Sequence, residues 1–380
     1  MFLLKWFTLS SSNQSKTIMD MPDLVMRKIL KDVDLVSMLH LRKVCRAFQN
    51  FIDNTNQVKI ELRSFTIRAQ DDNVLLSLAP GQVSNITIKK SSRGCTVINE
   101  HKFGRREVYE MDDVSVLEEF EICLEGIIKS QKTPLPEFIL ECSPLYVRPK
   151  PSKFRSLFGC CQRKQQKLFT CEADKDYKQS RGTYNEILNG LNLVLKRRPM
   201  RVEKVSISFF EPRQLRKVLS NIDQESLGCL DINAINTKDI FENKKVNLEE
   251  VLEYFPMANI QKLHLNHVMV TSPIRSIMHI PDLRIMVQDI SVEELLHLRK
   301  IFLTSLGPRR AVIKAKHRFE WHFISTLDFV DPEDYPFILH FGIPKQNRCV
   351  RMKFLYDWVE FLAMEREEVP QDFQVFDFKE

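Results

Sequence analysis

The sequence predicts an α/β (α+β) protein: a short N-terminal three-helix module followed by an irregular strand–helix solenoid. Three observations carry this. Apolar residues recur at helical spacing between Asp20 and Ile52, the period of amphipathic helices. Beyond them, short β-branched runs alternate with helical stretches as far as Lys314, the alternation of strand–helix units. Finally, only 10 of the 380 residues are glycine, against a usual ~7%. Phosphate-cradling loops need glycine where the backbone approaches a ligand closely. No Gly-x-Gly-x-x-Gly and no Gly-Lys-Ser/Thr run occurs, so nucleotide-dependent enzymes are disfavoured and no cofactor is expected.

The length allows two or three domains at roughly 150 residues each. With 43% hydrophobic and 28% charged residues, the composition is that of a globular protein. A net charge of +6 is too mild to imply nucleic acid as a partner. Nine cysteines, an odd number, fit free thiols in a reducing compartment, hence an intracellular protein of cytoplasm or nucleus. No apolar run reaches the ~18 residues of a transmembrane span. Residues 1–19 read as a flexible tail rather than a signal peptide, because Lys5 interrupts the apolar stretch and no small-x-small cleavage site follows.

The first organised segment covers residues 20–55. Asp20 can cap a helix that tolerates Pro22 in its early turn. Leu24, Val25, Ile29 and Leu30 form its apolar stripe. Asp34 caps a second helix with Leu35, Val36, Met38 and Leu39, and a third carries Leu41, Val44, Cys45, Phe48, Phe51 and Ile52. Some 35 residues are too few to bury all these groups, since domains below ~40 residues seldom fold alone. The surplus must face the rest of the chain or a partner.

These residues carry a resemblance. Met21-Pro22-Asp23-Leu24-Val25 with Ile29-Leu30, then Leu35, Leu39 and Leu41-Arg42-Lys43-Val44-Cys45-Arg46-Ala47-Phe48, resemble an F-box. Met21 stands where that family more often has Leu, and Phe48 where it has Trp. The resemblance implies a Skp-type adaptor as partner and, through it, a cullin scaffold. It also implies that the adaptor-facing anchors are among Pro22, Leu24, Val25, Ile29, Leu30, Leu35, Leu39, Val44 and Cys45. Ile29, Leu41 and Phe48 are expected mainly to hold the three helices together.

Residues 56–141 are expected to form strand and helix units. Strands are predicted at Val58–Leu62, Phe65–Ile67, Asn85–Lys89, Thr96–Ile98 and Glu137–Leu140, with a helix over Val116–Ile128. Residues 142–182 contain three prolines, and Arg148 to Lys167 hold seven basic residues and no acidic one; this reads as an exposed, disordered basic insert. Beyond it, strands centred on Val205, Leu230, Leu263, Ile285 and Val312 follow one another at 22 to 33 residues, with a helix ahead of them at Tyr184–Leu195 and helices between them at Pro212–Leu219, Val246–Leu252, Ser272–His279 and Val292–Leu303. That is a leucine-rich-repeat-like period. An F-box followed by such a region resembles the nematode F-box A type, whose C-terminal FTH domain would here span 183–345. Leu195-Lys196-Arg197-Arg198, Leu263-His264-Leu265 and Phe319-Glu320-Trp321-His322-Phe323 carry this second resemblance, which implies a target-binding module. Residues 346–380 are expected to hold a helix and an acidic tail.

Catalytic chemistry finds no support. Cys142, Cys160, Cys161 and Cys171 lack the paired spacing of zinc ligands. The adjacent Cys160-Cys161 in a basic run would at most be an acylation site. His264 and His267 lack companion ligands at metal spacing, Trp321-His322-Phe323 read as core or groove, and Phe373, Phe376 and Phe378 could seat in a partner's groove. The expectation is a non-enzymatic substrate-recognition subunit of an SCF-type ubiquitin ligase, with an unknown target; the alternative is a ligase-independent repeat-protein scaffold.

Overall fold

In a computed structural model of the chain, the described residues are 18–31, 33, 35–54, 62–70, 72–79, 83–101, 104–131, 133–142, 162–235, 244–252, 258–304, 309–316, 337–343, 346–355, 358–373 and 375–377. Three helices open it: α1 (Asp23–Lys31), α2 (Leu35–Val44) and α3 (Arg46–Asn54). Helix α1 starts later than a cap at Asp20 implies, because the Pro22 carbonyl accepts from the Val25 and Met26 amides at 2.9 and 3.2 Å. Met26, Leu30, Met38 and Phe48 are buried. The Arg42 guanidinium grips Asp53 through Nε at 2.7 Å and Nη2 at 3.0 Å, tying α2 to α3.

The next strands, β1 (Ser64–Gln70), β2 (Asn73–Ala79), β3 (Val83–Lys90), β4 (Gly94–His101) and β5 (Arg106–Asp112), form an antiparallel meander. Helix α4 (Val116–Ser130) follows, opened by a reciprocal Ser115–Glu118 capping box, which satisfies two orphan backbone donors. Then come β6 (Leu135–Cys142), α5 (Gln162–Arg197), β7 (Val202–Phe209), α6 (Pro212–Leu219), β8 (Cys229–Ala234), β9 (Lys244–Val246), α7 (Leu248–Leu252), β10 (Lys262–Val270), β11 (Asp282–Val287), α8 (Val292–Thr304) and β12 (Arg310–Ala315). The chain closes with β13 (Phe337–Gly342), β14 (Arg348–Leu355), β15 (Trp358–Glu365) and β16 (Val375–Asp377).

All sixteen described strands join one open sheet. At its centre β1, β6, β7, β8, β10, β11 and β12 are parallel neighbours in that order. Successive parallel connections that advance in one direction with right-handed crossovers lie on one side of the sheet. The burial pattern agrees: Phe65, Phe138, Val205, Leu230 and Leu263 are buried at matched register, while the intervening polar residues are half-exposed. The apolar side shares one core with Phe120 and Leu124 of α4, Leu188 and Leu191 of α5, Leu215 of α6 and Leu298 of α8.

Several expectations change. The parallel strands do not stand alone as a solenoid; antiparallel flanks β2–β5 and β13–β15 extend the same sheet. Residues 346–380 contain no helix at Arg348–Glu365 but the antiparallel pair β14–β15. Val350, Met352 and Phe354 are buried and alternate with half-exposed Arg351 and Lys353, a two-residue period that a helix cannot bury on one face. The basic insert is partly helical, since α5 begins at Gln162. From there to Gly182 the chain has neither proline nor glycine and is rich in strong helix formers. Within Val246–Leu252 only α7 is helical, and the segment at Ser272–His279 shortens to a 3₁₀ turn at Ile274–Ser276. Residues 58–61, 143–161 and 319–323 lie outside the described residues.

Candidate partner-docking surfaces

Two surfaces present side chains with the character of partner sites. The first is on the three-helix module. Leu24, on the first turn of α1, is 78% exposed, and Val44, at the end of α2, is 67% exposed. Val25 is exposed beside Leu24, and Pro22 and Cys45 are exposed next to Leu24–Val25 and Val44 respectively. A folded module gains nothing by leaving such groups in water, and grouped apolar exposure marks an interaction surface. Ile29 is half-buried. Leu30 leaves the exposed set: it is 1% exposed, because it lies four residues beyond Met26 on the inward stripe of α1. Phe48 is buried as expected. Leu35 and Leu39 lie on α2 with side chains outside the described residues. Sequence reasoning missed Ile18, exposed in a 3₁₀ turn just ahead of α1; its signal was an apolar residue beside the Met21-Pro22 start.

The module is joined to the sheet through charge. The Lys43 ammonium pairs with buried Glu119 of α4, and Lys129 of α4 lies 3.6 Å from Asp53. Burial alone would raise the Asp53 carboxyl; hydrogen bonds from Arg42 and the nearby Lys129 outweigh it and hold the group below the usual carboxylate range. Beneath Glu119, the Cys123 thiol contacts its Oε1 at 3.3 Å. Burial first, and the Glu119 charge second, push that thiol far above its ordinary value, so it is an inert packing group.

The second surface is the half-exposed face of the parallel strands, where charges alternate from strand to strand. Lys204 reaches Glu137 at 2.8 Å and Asp231 at 3.6 Å. His264 stands between Asp231 at 3.3 Å and Asp282 at 3.4 Å, and Lys262 pairs with Asp282 at 3.0 Å. Further along, Glu360 receives Arg310 and Arg351 at 2.8 and 3.1 Å. The neighbouring His264 ring, with Lys204 beside it, holds the Asp231 carboxyl low, and the hydrogen bond to Glu137 raises Lys204. His264 therefore does have carboxylate neighbours, contrary to expectation, because strand register brings together residues 18 and 33 positions away. His267 does not join it: it is exposed at a positive φ of 57°, where the pairing of β10 with β11 shifts. Among the described residues no group of three His, Cys, Asp or Glu could hold a metal ion, and no helix is long and apolar enough to cross a membrane.

The remaining sequence candidates are dispersed. Cys142 is buried; Cys160 and Cys161 lie outside the described residues, as does the side chain of Cys171 on α5. Phe373 packs edge-on against His340 with ring centroids 5.2 Å apart while staying 41% exposed, and Phe376 packs on Phe341 at 6.1 Å. Phe378 and Trp321-His322-Phe323 lie outside the described residues.

Family comparison gives each region its kinship. The F-box domain family matches residues 18–59, covering the three helices, and the FTH domain family matches residues 185–327, covering the C-terminal part of α5 through β12. The match ends before β13, so the last four strands extend the sheet beyond it. No curated protein matches the chain. An F-box at residues 18–59 followed by an FTH domain over the parallel strands is the arrangement of the F-box A type, and the chain is an F-box protein of that architecture.

Proposed function

We propose that the chain is a non-catalytic substrate-recognition subunit of an SCF-type ubiquitin ligase. The F-box would bind a Skp-type adaptor and, through it, a cullin scaffold; the FTH domain would bind the target protein. The observation that carries this reading is the pair of exposed apolar groups, Leu24 and Val44, on a module that buries Leu30 and Phe48. Pro22, Val25 and Cys45 extend the adaptor face, with Leu35 and Leu39 as the family resemblance implies. On the target side, the strand-to-strand run from β7 to β12 supports a leucine-rich-repeat-like presentation, in which each strand adds a row of polar side chains to one surface.

The chemistry of such a subunit is positional. Holding a target lysine near a charged ubiquitin-conjugating enzyme turns a bimolecular encounter into an effectively intramolecular one, and bond making belongs to other subunits. An intracellular location follows from that partnership. The test is co-expression of the intact chain with a panel of Skp-type adaptors, followed by addition of the cullin. A stable ternary complex supports the reading; a chain that stays free of every adaptor contradicts it.

A further inference from the structure

A cavity of about 130 Å³ lies at the seam between the meander and the FTH domain. Its floor is apolar and buried, formed by Phe65 of β1, Ile127 of α4, Leu135 of β6 and Met200 before β7. Exposed Arg198 and Arg201 line its mouth, and no acidic residue lines it among the described residues. Arg201 shares its charge with Asp223 at 3.6 Å. Arg198 has no ion pair among the described residues, and Lys196 and Arg197 are exposed beside it. The strand face offers no comparable seat, because its charges already neutralise one another across the register.

We propose that this cavity is the anchor site for a partner protein's acidic segment, taking one apolar side chain into the floor while flanking carboxylates meet Arg198 and Arg201. The volume suits a single large side chain, and burying one such anchor in a desolvated pocket is how interfaces concentrate affinity. The charge complementarity selects the flanks. Helices α4 and α5 both end at this seam, and helix C-termini carry partial negative charge. Arg198, one residue past α5, also meets the dipole of that helix. The site takes residues from both sides of position 185, so the anchor would not be contained in the FTH domain. The proposal rests on the target-recruitment reading for the partner's identity, not for the site's existence.

The experiment uses the intact chain with methyl-labelled methionine and the peptide Asp-Glu-Phe-Asp-Glu as probe, alongside versions with Ser for Phe and with Lys for every acid. Adaptor binding is measured separately on the same preparations. The expected result is a shift of the Met200 methyl signal by the acidic Phe peptide, with affinity about tenfold weaker in Arg198→Glu, while adaptor binding is unchanged. Equal binding of the Ser or Lys peptide, or a Met200 signal that does not move, overturns the proposal. Loss of adaptor binding in the unmodified chain would sink the ligase reading and leave this site standing.

Discussion

Lys43, near the end of α2, places its ammonium on the carboxylate of Glu119, a residue 76 positions downstream and 1% exposed in α4. The F-box is thereby tied to the sheet by an ion pair whose acidic half has no access to water. Lys43 and the Cys123 thiol both meet Oε1 of Glu119, and Oε2 has no hydrogen-bond partner, so these two groups are the principal compensation of the charge. Removing one partner of a buried pair leaves an uncompensated charge. Lys43→Met should cost on the order of 2–3 kcal/mol, the low end for such a pair because Lys43 keeps some contact with water. Lys43→Met/Glu119→Gln should recover most of it. Urea denaturation of the three proteins checks this; a loss below about 0.5 kcal/mol, typical of a surface pair, would contradict it.

Gly94 opens β4 at a point where no side chain fits. A Cβ there would lie 2.1 Å from the Met111 carbonyl oxygen and 3.1 Å from the Asp113 amide nitrogen. Backbone cannot yield as a side-chain tip can, so Gly94→Ala should push β5 away from β4. The expected loss is about 1–3 kcal/mol, and hydrogen exchange should quicken along Arg106–Asp112 before it does in the central strands.

Much of this fold was legible because local period and tertiary burial agree. Val202–Ile207, Leu283–Val287 and Arg310–Lys314 read as strands and are strands. Pro212–Leu219 reads as a helix and is one, with Pro212 at its first turn. Where the two signals diverged, reading failed. Trp358–Glu365 buries consecutive residues Val359, Glu360 and Phe361, because Arg310 and Arg351 close over Glu360 on the polar face and the alternation is erased. The F-box was legible as a motif, but Leu24 and Leu30 look alike in sequence; only the packing of α1 separates the exposed one from the buried one. The charge row and the cavity were invisible, since register and packing assemble them from residues far apart.

His340 is 2% exposed and neither ring nitrogen has a hydrogen-bond partner. Burial, with the nearby Arg351 charge adding to it, lowers its pKa below the ordinary histidine value. For a base held neutral in the fold, the unfolded chain binds the proton first. The contribution is therefore present above the unfolded pKa of about 6.5 and is lost as pH falls through it toward the lower folded value. Stability should decline as pH falls from about 6.5 toward the carboxylate range. His340→Phe should flatten that limb in thermal melts taken across the interval. An unchanged slope in the variant would contradict the assignment.

On the proposed function, the exposed apolar groups on the F-box exist for the adaptor and not for the fold. Isothermal titration of a Skp-type adaptor into the chain and into Leu24→Ser/Val44→Ser tests it most directly, with the urea midpoint of each protein measured in parallel. The expected result is an affinity reduced roughly 100-fold at an unchanged midpoint, whereas Leu30→Ala lowers the midpoint through a loss of about 2–5 kcal/mol of stability. Full adaptor affinity in the doubly substituted chain would contradict it.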